Sequence, residues 1–344
     1  MNSPAAAVEA LRATATVERV GERAHRRLAD AHGIVGADMA WVEAELAIAA
    51  REGAAPGTQA AAHLLDAGGK RVRPLAVLLS AACFGEVSPA ARSLAVVAEL
   101  VHAATLLHDD VIDDADERRG RPASRRLWGN AVSVLGGDLL LTHALERAVE
   151  AAPALMPDLI ATLRRLVDGE IVQLRGRTRL DLSESTYFVI VRGKTSSLFA
   201  WAARAGAFVG GAPRDATEAL GEYGAHLGVA FQLVDDVLDY AGDPAATGKA
   251  LFGDLREGKI TLPLVRAIAA IPSLAPEVDR ARAGDDAASR RLLAGVLESG
   301  ACEEVRVLAR TETDRALAAL KRVPEGLPRD LLVCVAGELA SRAA

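Results

Sequence analysis

Aromatic side chains make up only 3% of this 344-residue sequence, although hydrophobic residues reach 51%. A core so poor in rings and so rich in alanine suits closely packed helices, whose small side chains leave room for a lined cavity. Basic patches with interleaved aromatics are missing as well, and the formal net charge is −6. Both argue against a nucleic-acid binder. Cysteine is rare: Cys83, Cys302 and Cys334 form an odd set without metal-ligand spacing, as expected of buried thiols in a reducing cytoplasm. No run of 18 apolar residues occurs, so no transmembrane span is expected. The N-terminus lacks the basic-then-apolar order of a signal peptide, and Glu9, Glu18 and Glu22 fit an organellar transit sequence poorly. A soluble, cytoplasmic chain is the expectation. Walker-type glycine loops, nucleophile elbows and dinucleotide fingerprints are also lacking, which makes nucleotide hydrolysis and hydride transfer poor candidates.

Lysine is the scarcest of the common charges. Of 40 basic residues only five are lysine, and four of these stand in motif-like settings: Lys70 in Gly68-Gly69-Lys70-Arg71-Val72-Arg73-Pro74, Lys194 before Thr195, Lys249 after Gly248, and Lys259 after Gly258. A compact ammonium on a flexible stem suits a phosphate as a point charge, whereas arginine prefers planar bidentate contacts. Only Lys321 reads as incidental.

Strand alternation is not found. Apolar residues recur at helical spacing from about residue 36 onward, which predicts an all-α chain with helices over 36–52, 57–67, 73–84, 88–112, 124–149, 156–176, 183–209, 214–240 and 260–270, then shorter ones to 342. No linker or composition break divides it, so residues 1–344 read as one domain, with 1–34 an amphipathic helical extension. Two loops, 114–123 and 241–258, carry Gly and Pro and are suited to close over a ligand.

What is present in excess is a repeated acidic word. Asp109-Asp110-Val111-Ile112-Asp113 and Asp235-Asp236-Val237-Leu238-Asp239 each end a long apolar stretch. At 3.6 residues per turn, the first and last Asp of each word project from one face a turn apart, as a two-pronged carboxylate claw. Six of the nine residues from Asp109 to Glu117 are acidic, and they fall where the preceding helix presents the negative end of its dipole. Carboxylates in apolar surroundings need partners. Hard oxygen donors in this number favour Mg²⁺, which is usually held by one or two carboxylates together with substrate phosphates. The claws therefore imply a phosphorylated ligand. Glu99 and His102 form one Glu-x-x-His pair, half of what a di-iron bundle needs, and His108 beside the first claw is either its hydrogen-bonding partner or a core histidine.

These motifs together resemble the trans-isoprenyl diphosphate synthases: the Gly68–Pro74 run, the first claw with its Arg118-Arg119-Gly120 tail, Lys194-Thr195, Phe231-Gln232-Leu233-Val234-Asp235-Asp236, and Gly253 to Pro263, which contains Lys259. They occur in the family's order over roughly residues 65 to 265, and they are most similar to those of the long-chain members. The resemblance implies an isoprenoid-synthase fold and a homodimer that joins isopentenyl diphosphate to an allylic diphosphate in a 1′–4 condensation, with three Mg²⁺ per active site. It implies no nucleic-acid partner and at most peripheral membrane contact for product release. Carried over residue by residue, Asp109, Asp113 and Asp235 would hold Mg²⁺ against the allylic diphosphate, with Asp110, Asp236 and Asp239 completing the claws. Arg118, Lys194, Gln232 and Lys249 would contact that diphosphate or its surroundings, with Lys194 and Lys249 the catalytic lysines, and Thr195 and Lys259 would also bind substrate. Lys70, Arg73, His102 and Arg119 would bind isopentenyl diphosphate. Ala123-Ser124 departs from the pattern, where Thr usually comes first.

Rival readings each leave something over. A class I terpene cyclase has no use for Lys70, Arg73, His102 and Arg119, a non-catalytic regulatory subunit would have lost a claw, and a helical binding protein needs neither. Product length in this resemblance depends on the helix before the first claw, where Thr105, Ala104, Val101, Ala98 and Val97 are the inward candidates and none is aromatic. Twelve such helical residues give a wall of about 18 Å, which predicts a long-chain polyprenyl product, with a floor near Leu141 or Leu145 and geranylgeranyl or farnesyl diphosphate as the shorter alternatives.

Overall fold

The protein, seen here as a computed structural model, is described over residues 22–178, 181–241, 253–256 and 258–341. Its described residues group into two compact units. The first draws on the chain up to Ile160, on Phe199–Gly224 and on Ala319–Val335; the second draws on Ala161–Leu198, Ala225–Ala318 and the chain from Ala336. Neither is a continuous stretch of sequence.

In the first unit α1 (Glu22–Ala49), α2 (Gly57–Asp66), α3 (Val72–Ala82) and α4 (Pro89–Ile112) lead to a short hairpin, β1 (Glu117–Arg118) with β2 (Arg121–Pro122), then α5 (Ser124–Trp128) and α6 (Asn130–Ala151). Helix α4 organises them. Ser88 caps it by accepting from Ala91 N at 3.2 Å, and Pro89 sits in the first turn, where a missing N–H leaves no bond unmade. Leu94, Leu100 and Leu107 are fully buried, each stabilising the fold by roughly 1.5–3 kcal/mol. Helix α4 packs on α1, α3 and most extensively on α6. Gly137 makes the last contact possible: a Cβ there would lie 2.3 Å from His108 Nε2 and 3.1 Å from the Ala104 carbonyl. By length and composition α4 could cross a membrane, yet 67% of its most apolar window is buried, as in the core helix of a globular protein.

From α7 (Met156–Thr178) the chain enters the second unit, with α8 (Glu184–Ile190) running into a π-helical turn over Val191–Ser196. Helices α9 (Ser197–Val209) and α10 (Arg214–Ala241) follow, then α11 (Gly253–Arg256), α12 (Leu262–Ala270), α13 (Ala275–Arg282), α14 (Asp286–Glu298), α15 (Ala301–Ala319) and α16 (Leu327–Ser341). The second unit's core joins Tyr187 and Val191 to Leu233, Val237 and Tyr240 on α10 and to Leu262, Val278, Leu292, Val296 and Val305.

The all-helical expectation holds, with four local differences. Helix α1 is already formed at Glu22, the first described residue, and runs without a break past residue 35; Gly33 is tolerated inside it with open space beside it. The span expected over 124–149 breaks at Gly129, whose φ of 83° no helix accepts. The span over 183–209 is interrupted by the π-helical turn. The fourth difference is the hairpin, where Arg119 and Gly120 at φ 55° and 70° form the two-residue loop of a tight β-turn.

Candidate active site

The three non-glycine residues with positive φ among the described residues are Arg71, Asp114 and Arg119. Each lies in a motif singled out above or directly after one. Backbone held in a sparsely populated region costs on the order of 1–3 kcal/mol and persists where the surroundings demand it.

Arg71 shows what the surroundings are in the first unit. Its guanidinium bonds Glu43 (2.7 Å) and Glu99 (2.7 Å), and it is 4% exposed. Glu99 is the shared counter-ion of a basic cluster. Burial alone would raise its pKa, but Arg71, with His102, Arg119 and Arg73, holds it down at about 2. His102 is pushed well below the usual imidazole value by burial and by Arg73, so it is neutral at neutral pH. Arg73 lies with its guanidinium 4.5 Å over the Phe199 ring; burial brings it down to about 10 against the pull of Glu99, with Arg119 adding to the fall. Arg119 Nη1 donates to the carbonyls of Leu64 and Gly68. Gly69 leaves room for the two guanidiniums: a Cβ there would come within 3.0 Å of Arg119 Nη2 and 3.1 Å of Arg71 Nη1 and crowd both. The structure thus brings Arg73, His102 and Arg119 together, with exposed Lys70 on the same turn. It also accounts for the single Glu-x-x-His pair: Glu99 serves arginine.

The first claw lies at the C-terminus of α4. Asp110, 1% exposed, is gripped by Arg118 from the hairpin through Nε (2.7 Å) and Nη2 (2.6 Å). Burial raises the Asp110 pKa against that pull. Arg125, on α5, straps the loop down through the Ala115 carbonyl (2.6 Å), the Asp114 carbonyl and the carboxylates of Asp114 (3.1 Å) and Asp116 (3.2 Å). His108 is half-buried and tied to α6: Nε2 meets the Val134 carbonyl at 3.1 Å and Asp138 at 3.3 Å. On the same helix Val97, Ala98, Val101 and Ala104 are buried, and Thr105 turns its hydroxyl back to the His102 carbonyl at 2.8 Å.

In the second unit one hydrogen-bond chain orders four residues. Thr195 donates to Gln232 Oε1 (2.9 Å), Gln232 Nε2 donates to Asp236 Oδ1 (2.7 Å), and the Tyr187 hydroxyl donates to Asp236 Oδ2 (2.7 Å). Asp236 is 2% exposed, and burial raises its pKa despite these bonds. Asp239 Oδ2 accepts from Asp254 N at 3.3 Å. The Asp254 carboxyl is pushed well up by burial and by Asp239, with Lys259 opposing. Lys194 forms an ion pair with Glu170. Lys249 and most of the loop 241–258 lie outside the described residues.

Both words therefore share one division of labour. The middle carboxylates, Asp110 and Asp236, are engaged by protein donors; a side chain one residue beyond Asp109 or Asp235 points about 100° round the helix, into the fold. Among the described residues no group of three or more His, Cys, Asp or Glu is drawn into a metal cage. Sequence reasoning missed Tyr187, Glu170 and Arg125, none of which lies in a repeated or lysine-marked motif, and gave Asp254 no role. None of the three cysteines forms a disulfide.

The chain has relatives among known proteins. The sequence profile of the polyprenyl synthetase family matches residues 57–294. The chain is 38% identical over 275 residues to all-trans-nonaprenyl-diphosphate synthase (geranyl-diphosphate specific) of Rhodobacter capsulatus, covering 79% of this chain and 84% of that one. It is 36% identical over 280 residues to octaprenyl diphosphate synthase of Escherichia coli, covering 80% and 86%. Among solved structures, polyprenyl synthase from Caulobacter crescentus, complexed with calcium and isoprenyl diphosphate, superposes with a TM-score of 0.85 at 39% identity over 91% of this chain and 97% of that one. With its helical fold, its paired Asp words and its basic cluster around Glu99, the chain belongs to the polyprenyl synthetase family of prenyltransferases.

Proposed function

We propose that the protein condenses isopentenyl diphosphate with an allylic diphosphate in successive 1′–4 additions and releases a long-chain trans-polyprenyl diphosphate. The observation that carries the chemistry is the matched pair of Asp words, each at the end of an apolar helix stretch, with its middle carboxylate engaged by protein donors and its outer two one helical turn apart. Asp109, Asp113, Asp235 and Asp239 offer only hard oxygen donors, and Mg²⁺ fits that set, three ions per active site being the family expectation. A divalent ion at such carboxylates supplies Lewis-acid stabilisation of the departing diphosphate.

The chain's own residues do the rest. Arg118 and Lys194 bring positive charge to the allylic diphosphate, so that breaking its C–O bond costs less in the transition state than in water. Arg73, His102 and Arg119 with Lys70 hold the second diphosphate. His102, being neutral, adds a hydrogen-bonding group without adding charge. The double bond of isopentenyl diphosphate attacks the allylic carbon, and the departing diphosphate takes the proton lost from the product. No protein base is required. The buried small residues Val97, Ala98, Val101 and Ala104 keep the wall below the first claw without rings, and this favours long products over geranylgeranyl or farnesyl diphosphate. A homodimer and a cytoplasmic location belong to the same reading, and Val167, Ile171 and Leu174, exposed at helical spacing on α7, supply an apolar stripe for a partner.

The test is incorporation of labelled isopentenyl diphosphate with and without added Mg²⁺. Turnover should vanish in a chelator, and Asp109→Ala or Asp235→Ala should lose about a thousandfold in rate, roughly 4 kcal/mol at 1.36 kcal/mol per decade. Near-wild-type rates in either variant, or turnover without metal, would sink the proposal.

A further inference from the structure

We propose that Glu170 is a positioning residue for prenyl transfer, acting by holding the Lys194 ammonium where the allylic diphosphate is to bind. The inference rests on the prenyl-transfer reading and adds to it a residue outside the lysine and aspartate motifs.

Three observations in the second unit carry it. First, the Glu170 carboxylate and the Lys194 ammonium form an ion pair in which the side chains are only 15% and 21% exposed. Gln173 Nε2 also donates to Glu170 Oε1 at 3.3 Å. An ion pair shielded to this degree is worth more than one at the open surface.

Second, the backbones carrying the two charges touch. A Cβ on Gly169 would fall 2.8 Å from Lys194 N, and a Cβ on Gly193 would fall 2.8 Å from the Arg165 carbonyl and 3.2 Å from Gly169 Cα. With glycine at both crossing points no side chain can wedge the segments apart. Glu170 follows one glycine and Lys194 follows the other, so the crossing fixes the register of the pair.

Third, Lys194 stands in the π-helical turn Val191–Ser196, a local widening often found at functional sites. Its neighbour Thr195 is tied to Gln232 and through it to Asp236. Consecutive residues of one turn are thus each fastened by a different helix, Lys194 by α7 and Thr195 by α10. A lysine has four flexible carbons and loses its aim when its counter-ion is removed; the isosteric amide of glutamine keeps the shape and removes the charge.

The experiment compares wild type, Glu170→Gln, Lys194→Ala and the double variant by steady-state kinetics with Mg²⁺, isopentenyl diphosphate and a short allylic diphosphate. Wild-type turnover establishes the underlying reaction; its absence would count against the prenyl-transfer reading itself. Given turnover, Glu170→Gln should lower kcat at least about tenfold with KM for isopentenyl diphosphate unchanged, and the double variant should be no slower than Lys194→Ala alone, because a positioning residue has nothing left to position. A Glu170→Gln variant within twofold of wild type, or a double variant well below Lys194→Ala, would overturn the assignment. Circular dichroism checks that each variant folds. If Glu170→Gln does not, Glu170→Asp, which keeps the charge but draws it back by one methylene, is judged by the same two criteria.

Discussion

Tyr187 and Asp236 are joined by a 2.7 Å hydrogen bond that fills the carboxylate oxygen Gln232 leaves over. The middle residue of the second claw is therefore committed to the protein, and a residue 49 positions earlier in the chain fixes how the claw is presented. Tyr187→Phe removes one donor from a buried carboxylate. The variant should lose about 1–3 kcal/mol of stability in denaturant unfolding and should turn over more slowly. An unchanged unfolding midpoint would show that the bond does not order the claw.

Arg71 has the corresponding role in the first unit. Arg71→Met would leave Glu99 and Glu43 facing each other without their shared cation, and breaking a buried pair from one side costs about 3–5 kcal/mol. Thermal unfolding should show a clear fall in Tm. A loss below about 1 kcal/mol would mean that Arg73 and Arg119 suffice to balance Glu99.

The same cluster sets a pH dependence. His102 has its pKa depressed below the ordinary 6.5, so the unfolded chain takes up a proton there before the folded one does. Its share of stability is complete above about pH 6.5 and is lost as the pH falls toward the folded value. Glu99, depressed from 4.5 to about 2, adds a second loss that begins below about pH 4.5. Asp110 and Asp236, with raised pKa values, favour the folded state as the pH falls and so oppose this trend; the share of His102 is the difference between the wild-type and His102→Gln curves between pH 7 and 5, at most about 1.4 kcal/mol per pH unit. A variant with the wild-type slope would place the titration elsewhere.

Arg125 ties down the loop after the first claw from outside the motif. In Arg125→Ala the amides of residues 114–121 should exchange with solvent faster while the core helices keep their protection, and kcat should fall. Unchanged exchange in the loop would show that the Asp110–Arg118 pair holds it alone.

The sequence made the helical fold legible because apolar spacing and Pro89 after Ser88 mark a helix with its cap. The outer claw residues were legible for a related reason: a one-turn spacing of Asp is visible without coordinates. Partner choice was not. Nothing in a string of letters shows that Tyr187 and Gln232 converge on Asp236, or that Glu99 faces Arg71 rather than a metal, because these pairs are closed by packing across distant segments. The π-helical turn escaped for the same reason, since its local pattern is that of an ordinary helix and the crossing of Gly169 with Gly193 is tertiary. Gly129 could have been read as the break it is, because a glycine after Trp128 supplies a positive φ that no other residue offers cheaply.

The most direct test of the account is the length of the product. Purified protein with Mg²⁺, excess isopentenyl diphosphate and allylic primers of several lengths should give polyprenyl chains longer than geranylgeranyl, resolved by chromatography after dephosphorylation. Ala104→Phe, which adds a ring to the small-residue wall of α4, should shift the main product to shorter chains. A wild type that stops at farnesyl or geranylgeranyl diphosphate would contradict the long-chain reading, and a wild type that converts a prenyl diphosphate without consuming isopentenyl diphosphate would contradict chain elongation altogether.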